Sequence, residues 1–314
     1  MIPREAPTPG PAAVAAGAAT TAAAGGPVPG APLREAGLWA DAWRQLRRNP
    51  LFLAPAVVIA VFAVMAVVPG LFTRADPRAC DLSHSLVRPS ARHWFGYDLQ
   101  GCDYYAKVIH GARVSMTIGI ATVAGTALVA VVLGTLAGFY GGVVDTLIAR
   151  VTDVWFALPT FLGAVVVLSV LGGNGLPQLT LVLVVFGWPT MTRLMRSAVL
   201  TVRDMEYVTA ARALGAGDLR LMIRHVLPNA LAPVIVYGAI RVGIVIAAEA
   251  TLSFLGLGLQ LPAISWGLMI AAAQPRLLSA PHLLLFPGLF LSVTVLAFVL
   301  LGDALRDAFD PRLR

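Results

Sequence analysis

Two ionisable side chains, Arg241 and Glu249, stand in a run of residues that is otherwise uncharged and apolar. If that run crosses a bilayer, each charge facing lipid at mid-depth would cost about 2.5–3.5 kcal/mol, so both must face protein or water. Being eight residues apart on a helix, they differ by about 80° in direction and about 12 Å in height, which makes direct pairing poor. Three roles stay open: packing at a subunit interface, lining a polar path, or a proton relay through Glu249. Asp98 and Asp103 could begin a cation cage, but no third carboxylate is spaced to complete one, so a solvated loop is the preferred reading. Cys80 and Cys102 fall in the same loop, where thiols facing an oxidising compartment can join as a disulfide. His84, His93 and His110 lack C-x-x-C or H-x-x-x-H spacing, and no metal site is expected from them. Bond-making chemistry has no visible seat. There is no G-x-x-x-x-G-K-[ST] loop, no nucleophile elbow and no pair of carboxylates within a span.

The elements that must position these residues are membrane helices. Hydrophobic residues make up 58% of the 314, charged residues only 12%, and the mean hydropathy is +0.81, far from soluble averages. Of 23 cations, all but Lys107 are arginines, scattered among apolar spans and never gathered into a basic run with interleaved aromatics. A nucleic-acid partner is therefore not expected.

Residues 1–37 are almost entirely Ala, Pro, Gly and Thr and read as a disordered tail without the Leu-rich core of a cleaved signal. In residues 38–50, "LWADAWRQLRRNP", Leu38, Trp39, Ala42, Trp43 and Leu46 share one helical face, which suits a short helix in the membrane interface. About 20 apolar residues cross a bilayer as a helix. On that measure residues 51–305 hold six spans: 51–72, one within 114–144, two within 154–191 split at "GGNG", one from about 231, and one over 283–301. Gly134, Gly138 and Gly142 form a small-residue ladder for close helix packing. An external loop covers 73–113, and 306–314 form a C-terminal tail. With both termini inside, inner segments carry fifteen cations and outer loops seven, the sense expected of cytoplasmic loops.

That orientation makes residues 193–228 cytoplasmic. Residues 201–214 favour a helix with a small-residue surface, Gly215 and Gly217 break it, and a second helical piece runs from Asp218, as N-cap, to Leu227 before Pro228 resets the chain. Helix, glycine bend and helix, tethered at both ends to spans, make a stiff knob.

The stretch "TAARALGAGDLRLMIRHVLP" resembles the cytoplasmic loop of ABC importer permeases, with Ala210, Ala211, Gly215, Leu227 and Pro228 at the family spacing. Thr209 and His225 replace the general Glu and Ile, as in the oligopeptide/dipeptide branch. Residues 93–116, 138–159, "AEATLSFLGLG" with "SWG", and "LLGDALRDAFDPR" resemble the same branch, most of all its second, shorter permease. Cys102 stands where that branch usually has Arg, so any role of that Arg does not carry over.

The resemblance implies an all-α polytopic protein with six transmembrane helices and the type I ABC importer permease fold, in a bacterial cytoplasmic (inner) membrane. It implies coupling through Thr209, Ala210, Ala211, Arg212, Gly215, Asp218, Leu227 and Pro228 to one or two ATP-binding cassette ATPases, which would bind the ATP and Mg; the chain itself needs no cofactor. A second homologous permease and an external substrate-binding protein complete the expected partners. Peptides are the expected substrate, with nickel, opines or glycosides as alternatives within the family. A proton-coupled secondary transporter using Glu249 is the competing class, and it would need internal inverted repeats that are not seen.

Overall fold

The computed structural model describes residues 38–171 and 175–309. The expected tail, the centre of the "GGNG" turn and the last five residues lie outside the described residues. The chain runs through α1 (Leu38–Leu46), α2 (Pro50–Val67), an outer loop, then α3 (Tyr104–Tyr140), α4 (Gly142–Ala157), α5 (Thr160–Leu171) and α6 (Leu176–Arg203). Next come α7 (Glu206–Ala213), α8 (Asp218–Arg220), a π-helical turn Leu221–Val226, α9 (Leu227–Ala230) and α10 (Ala232–Phe254). α11 (Trp266–Ala273) and α12 (His282–Phe309) end the fold. No strand occurs among the described residues; two isolated bridges stitch the outer loop.

Local chemistry fixes the helix starts. The Asn49 side chain accepts the Leu51 N–H at 2.9 Å ahead of α2, whose first residue is a proline that has no N–H to lose. Asp103 does the same for α3, accepting the Ala106 N–H at 2.8 Å. Gly141 and Gly142, at φ +65° and +53°, separate α3 from α4, a conformation that a side chain disfavours.

The central packing is α3 against α6. A Cβ on Gly134 would come within 2.7 Å of the Met195 Cβ and 2.8 Å of the Thr192 carbonyl; on Gly138 it would meet the Val199 Cβ at 2.8 Å. These two glycines let the helices touch backbone to backbone. Gly142 departs from the expected ladder: nothing lies within 4 Å of its Cβ position, and it serves the turn instead.

Length and apolarity qualify α2, α3, α10 and α12 as spans, and α4 with α5, bent by 80°, as a fifth if the pair counts as one. The 28-residue α6 is long enough to cross, but three arginines in its second half make it less apolar. The sequence reading of six spans is thus higher than this test returns. The expected third span, from Val154, crosses the bend. Leu158 is extended (φ −87°, ψ 125°) because the residue before a proline is pushed out of the helical region, and the chain turns there. α3 begins at Tyr104, so the external loop is about ten residues shorter than 73–113. α12 runs on to Phe309, into the segment read as a tail.

The α1 face is only partly free for the interface. Ala42 and Leu46 are buried with Ala308 against Leu305, Phe309 and Phe52, and the Trp39 ring meets Phe309 edge-on at 5.1 Å. Trp43 stays exposed, while the Leu38 side chain lies outside the described residues.

Because the Gly134 contacts are backbone and Cβ atoms that cannot swing away, Gly134→Ala is expected to destabilise the fold by about 1–3 kcal/mol. Gly288→Ala in α12, with open space around it, should be neutral or slightly stabilising. Thermal unfolding of both variants in mild detergent decides; equal melting temperatures would refute the close seam.

Candidate coupling surface and buried charges

The segment read as cytoplasmic is a continuation of α6. Arg203 at its end donates to the carbonyls of Gly138 and Phe139 at 2.7 and 3.3 Å, fastening α6 to the end of α3. The helix expected over 201–214 is interrupted at Asp204 and Met205, and α7 starts anew at Glu206. α7 turns Val208 fully inward and leaves Thr209, Ala210 and Arg212 exposed. It closes through two bonds, Gly215 N–H to the Arg212 carbonyl at 3.0 Å and Ala216 N–H to the Ala211 carbonyl at 3.1 Å, with Gly215 at φ +86°. This double closure around a left-handed glycine satisfies carbonyls that a plain helix end would orphan.

The expected N-cap at Asp218 is corrected by one residue. Gly217 caps α8 in extended conformation, and Asp218 is the first helical residue, with its charge at the positive helix end. Pro228 does not reset the chain either. The π turn buries Leu221, Met222 and Val226, and Pro228 sits at the start of α9, where its missing N–H is harmless.

Of the residues expected to make the contact, Thr209, Ala210, Arg212, Gly215 and Asp218 are exposed on one protrusion. Ala211 and Leu227 instead pack against the core and support it. Pro228 is exposed, but its carbonyl accepts the Trp39 indole N–H at 3.1 Å. The Arg212 guanidinium lies 5.9 Å from the centre of the Phe139 ring, a cation–π distance. Sequence reasoning passed over Leu214 and Leu219, which are 89% and 67% exposed. Their signal was present: leucines flanking a glycine bend in a segment already read as cytoplasmic.

In the outer loop Cys80 and Cys102 are joined by a disulfide. Asp98 Oδ1 accepts the N–H groups of Gln100 and Cys102, each at 2.9 Å, and its other oxygen pairs with Lys107. Asp103 is occupied as the α3 cap. Both carboxylates therefore organise the loop, and no metal-binding group of His, Cys, Asp or Glu occurs among the described residues. The Ser83 backbone N–H holds the Asp81 carboxyl below its usual value. His93 meets the Tyr97 hydroxyl at 3.0 Å, and His110 contacts the Ala106 carbonyl at 2.9 Å. A cavity of about 170 Å³ opens between this loop and α11, lined by Asp98, Tyr104, Lys107, Leu261, Ile264 and Met269.

Glu249 is fully buried. Its Oε1 accepts the hydroxyls of Ser253 at 2.9 Å and Ser265 at 3.0 Å. Ser265 is also the N-cap of α11, accepting the Leu268 N–H at 3.1 Å. Next to it, Trp266 donates its backbone N–H to Ser115 at 3.1 Å and its indole N–H to the Val108 carbonyl at 2.9 Å. Glu249 thus ties α11 to α10 while Trp266 ties it to α3. Arg241 takes no part; its guanidinium lies 6.0 Å from the Tyr237 ring centre. Glu249→Leu removes the acceptor for two buried hydroxyls and should lower stability by about 1–3 kcal/mol, whereas Glu249→Gln keeps an acceptor and should lose less. Unfolding in detergent measures both, and equal losses would show that charge rather than hydrogen bonding matters.

Comparison with known proteins adds an independent line. Residues 130–314 match the family described as binding-protein-dependent transport system inner membrane component, and residues 37–89 match the N-terminal TM domain of oligopeptide transport permease C. A dipeptide transport system permease protein of Alkalihalophilus pseudofirmus is 37% identical over 88% of this chain and 90% of its own length. An oligopeptide transport system permease protein of Bacillus subtilis is 37% identical over 88% and 90%, and a glutathione transport system permease protein of Escherichia coli 37% over 88% and 91%. Two matched segments that cover the described helices apart from the first part of α3, with relatives aligned along almost their whole length, place the chain in the binding-protein-dependent transport system inner membrane component family, as a permease subunit of an ABC importer.

Proposed function

We propose that this subunit carries di- and oligopeptides into a bacterial cell, forming the path together with a second, related permease in the cytoplasmic membrane. An external binding protein delivers the substrate. One or two kinds of ATPase subunit bind ATP and Mg and drive the spans between inward-open and outward-open states. The observation that carries this reading is the exposed protrusion of α7, its glycine closure and α8, which is braced at its base by Arg203 on the α3 carbonyls. A lever must be stiff where it joins the spans and accessible where it is pushed, and this segment has both properties. The printed names of the relatives support peptides, with glutathione, itself a small peptide, in the same range. Both termini are read as cytoplasmic.

The competing reading, a proton-coupled transporter using Glu249, is disfavoured by the engagement of its Oε1 with two serine hydroxyls that hold α11. That geometry suits a fixed structural link better than a shuttling proton.

Leu214 and Leu219 are exposed and touch little of the fold, so replacing them should leave the chain intact. Leu214→Glu with Leu219→Glu is expected to weaken ATPase retention and to lower ATP-driven uptake by at least about ten-fold, the size of an interface hot spot. Mild-detergent purification with mass spectrometry of the bound subunits, alongside uptake in vesicles, reads both. A chain that purifies alone in wild-type form and moves substrate down a proton gradient would overturn the proposal.

A further inference from the structure

Of the cations carried by α3, α4, α6 and α10, all but one find an oxygen acceptor within the described residues. Lys107 pairs with Asp98, and Arg113 donates to the carbonyls of Ala66 and Val67 at 2.8 and 2.9 Å. Arg150 and Arg193 reach Asp153 at 3.6 and 2.6 Å. Arg196 pairs with Asp145, and Arg203 holds the Gly138 carbonyl at 2.7 Å. Arg241 has no such acceptor among the described residues. It is the tenth residue of the 23-residue α10, about 14 Å from that helix's first residue and so well inside the membrane.

The Arg241 side chain is part-buried. The Nη2 lies 3.4 Å from the position a Cβ would take on Gly187 of α6, so the guanidinium rests close to the α6 backbone. Tyr237, one turn away, places its ring beside the charge. Tyr237, Arg241, Ile244 and Ala248 follow the spacing of a single helix face, and that face is left partly uncovered by the chain's own helices. Glu249 forms no ion pair with Arg241 among the described residues: eight residues apart on α10, the two differ by about 80° in direction and about 12 Å in height.

A guanidinium stays charged at any physiological pH and offers a planar fork of donors that matches a carboxylate. A carboxylate is therefore one anion that fits a guanidinium left without an oxygen acceptor among the described residues. Every linear peptide with a free C-terminus carries a carboxylate whatever its side chains, which makes it the natural common handle for a transporter of varied sequences. We infer that Arg241 receives the carboxylate of the transported peptide inside the membrane, a step that rests on the peptide reading above. A carboxylate side chain of the second permease has the same chemistry, and the test separates the two.

The complete complex, with both permeases, the ATPases and the binding protein, is reconstituted in vesicles as wild type, R241Q and R241K. Uptake is measured for trialanine with a free C-terminus and for its C-terminal amide, both at concentrations that saturate the isolated binding protein. For each variant, uptake is expressed relative to wild type with the same peptide. R241Q is expected to lower trialanine uptake by about ten-fold and amide uptake by no more than about two-fold, with R241K in between. Equal losses for both peptides, or no loss, overturn the inference. Loss of the second permease from purified R241Q also overturns it, because the guanidinium then belongs to a subunit contact. Wild-type vesicles that import neither peptide overturn the peptide reading and this inference with it, whereas the other outcomes leave that reading standing.

Discussion

The approach of α3 to α6 is the contact on which the rest depends. Lipid tails are as apolar as leucine, so helices in a bilayer gain little from hiding apolar surface and must gain from close fit instead. Gly134 and Gly138 provide that fit by letting the Met195 and Val199 side chains and the carbonyls of Thr192 and Arg196 come to the α3 backbone. Two arginines of α6 fasten the same end of this packing: Arg203 holds carbonyls near the end of α3, and Arg196 pairs with Asp145 at the start of α4. Since α7 follows directly from α6, the placement of the protrusion is inherited from this packing. α10 then packs against α3, with Gly119 receiving Ile246 and Val242, and against α12, where Gly302 receives Ile240.

Much of this was legible in the sequence. Apolar runs located α2, α10 and α12, and the spacing from Ala210 to Pro228 singled out the helix–glycine–helix segment. What escaped were features decided by neighbours rather than by composition. The bend at Leu158 comes from one proline inside an apolar stretch whose average character gives no sign of it. The π turn at Leu221–Val226 widens the helix so that Leu221, Met222 and Val226 all face inward, a pattern that a period of 3.6 residues per turn does not describe. The apolar side of α1 was read as facing lipid, yet the end of α12 takes part of it. A hydrophobic face announces that it will be covered and says nothing of what covers it.

The charged residues follow the same division. Their number and location argued for topology, but their partners could not be read from spacing. Asp98 and Asp103 were read as part of a solvated loop, and they serve as turn and helix caps. Glu249 depends on Ser265, sixteen residues away across an irregular loop. Local backbone N–H groups engage the aspartates and hydroxyls engage the Glu249 Oε1, partners that spacing alone does not give.

The small bond from the Trp39 indole to the Pro228 carbonyl has a mechanical meaning. Trp39 also leans on Phe309, so the helix before the first span, the end of the last span and the root of the protrusion meet at one node. Such a node turns an open chain of helices into a closed linkage, in which no arm can tilt without loading the others. Torque applied at the protrusion would then spread to the flanking spans rather than dissipate in a lone loop, and a single indole would set how much slack the linkage contains.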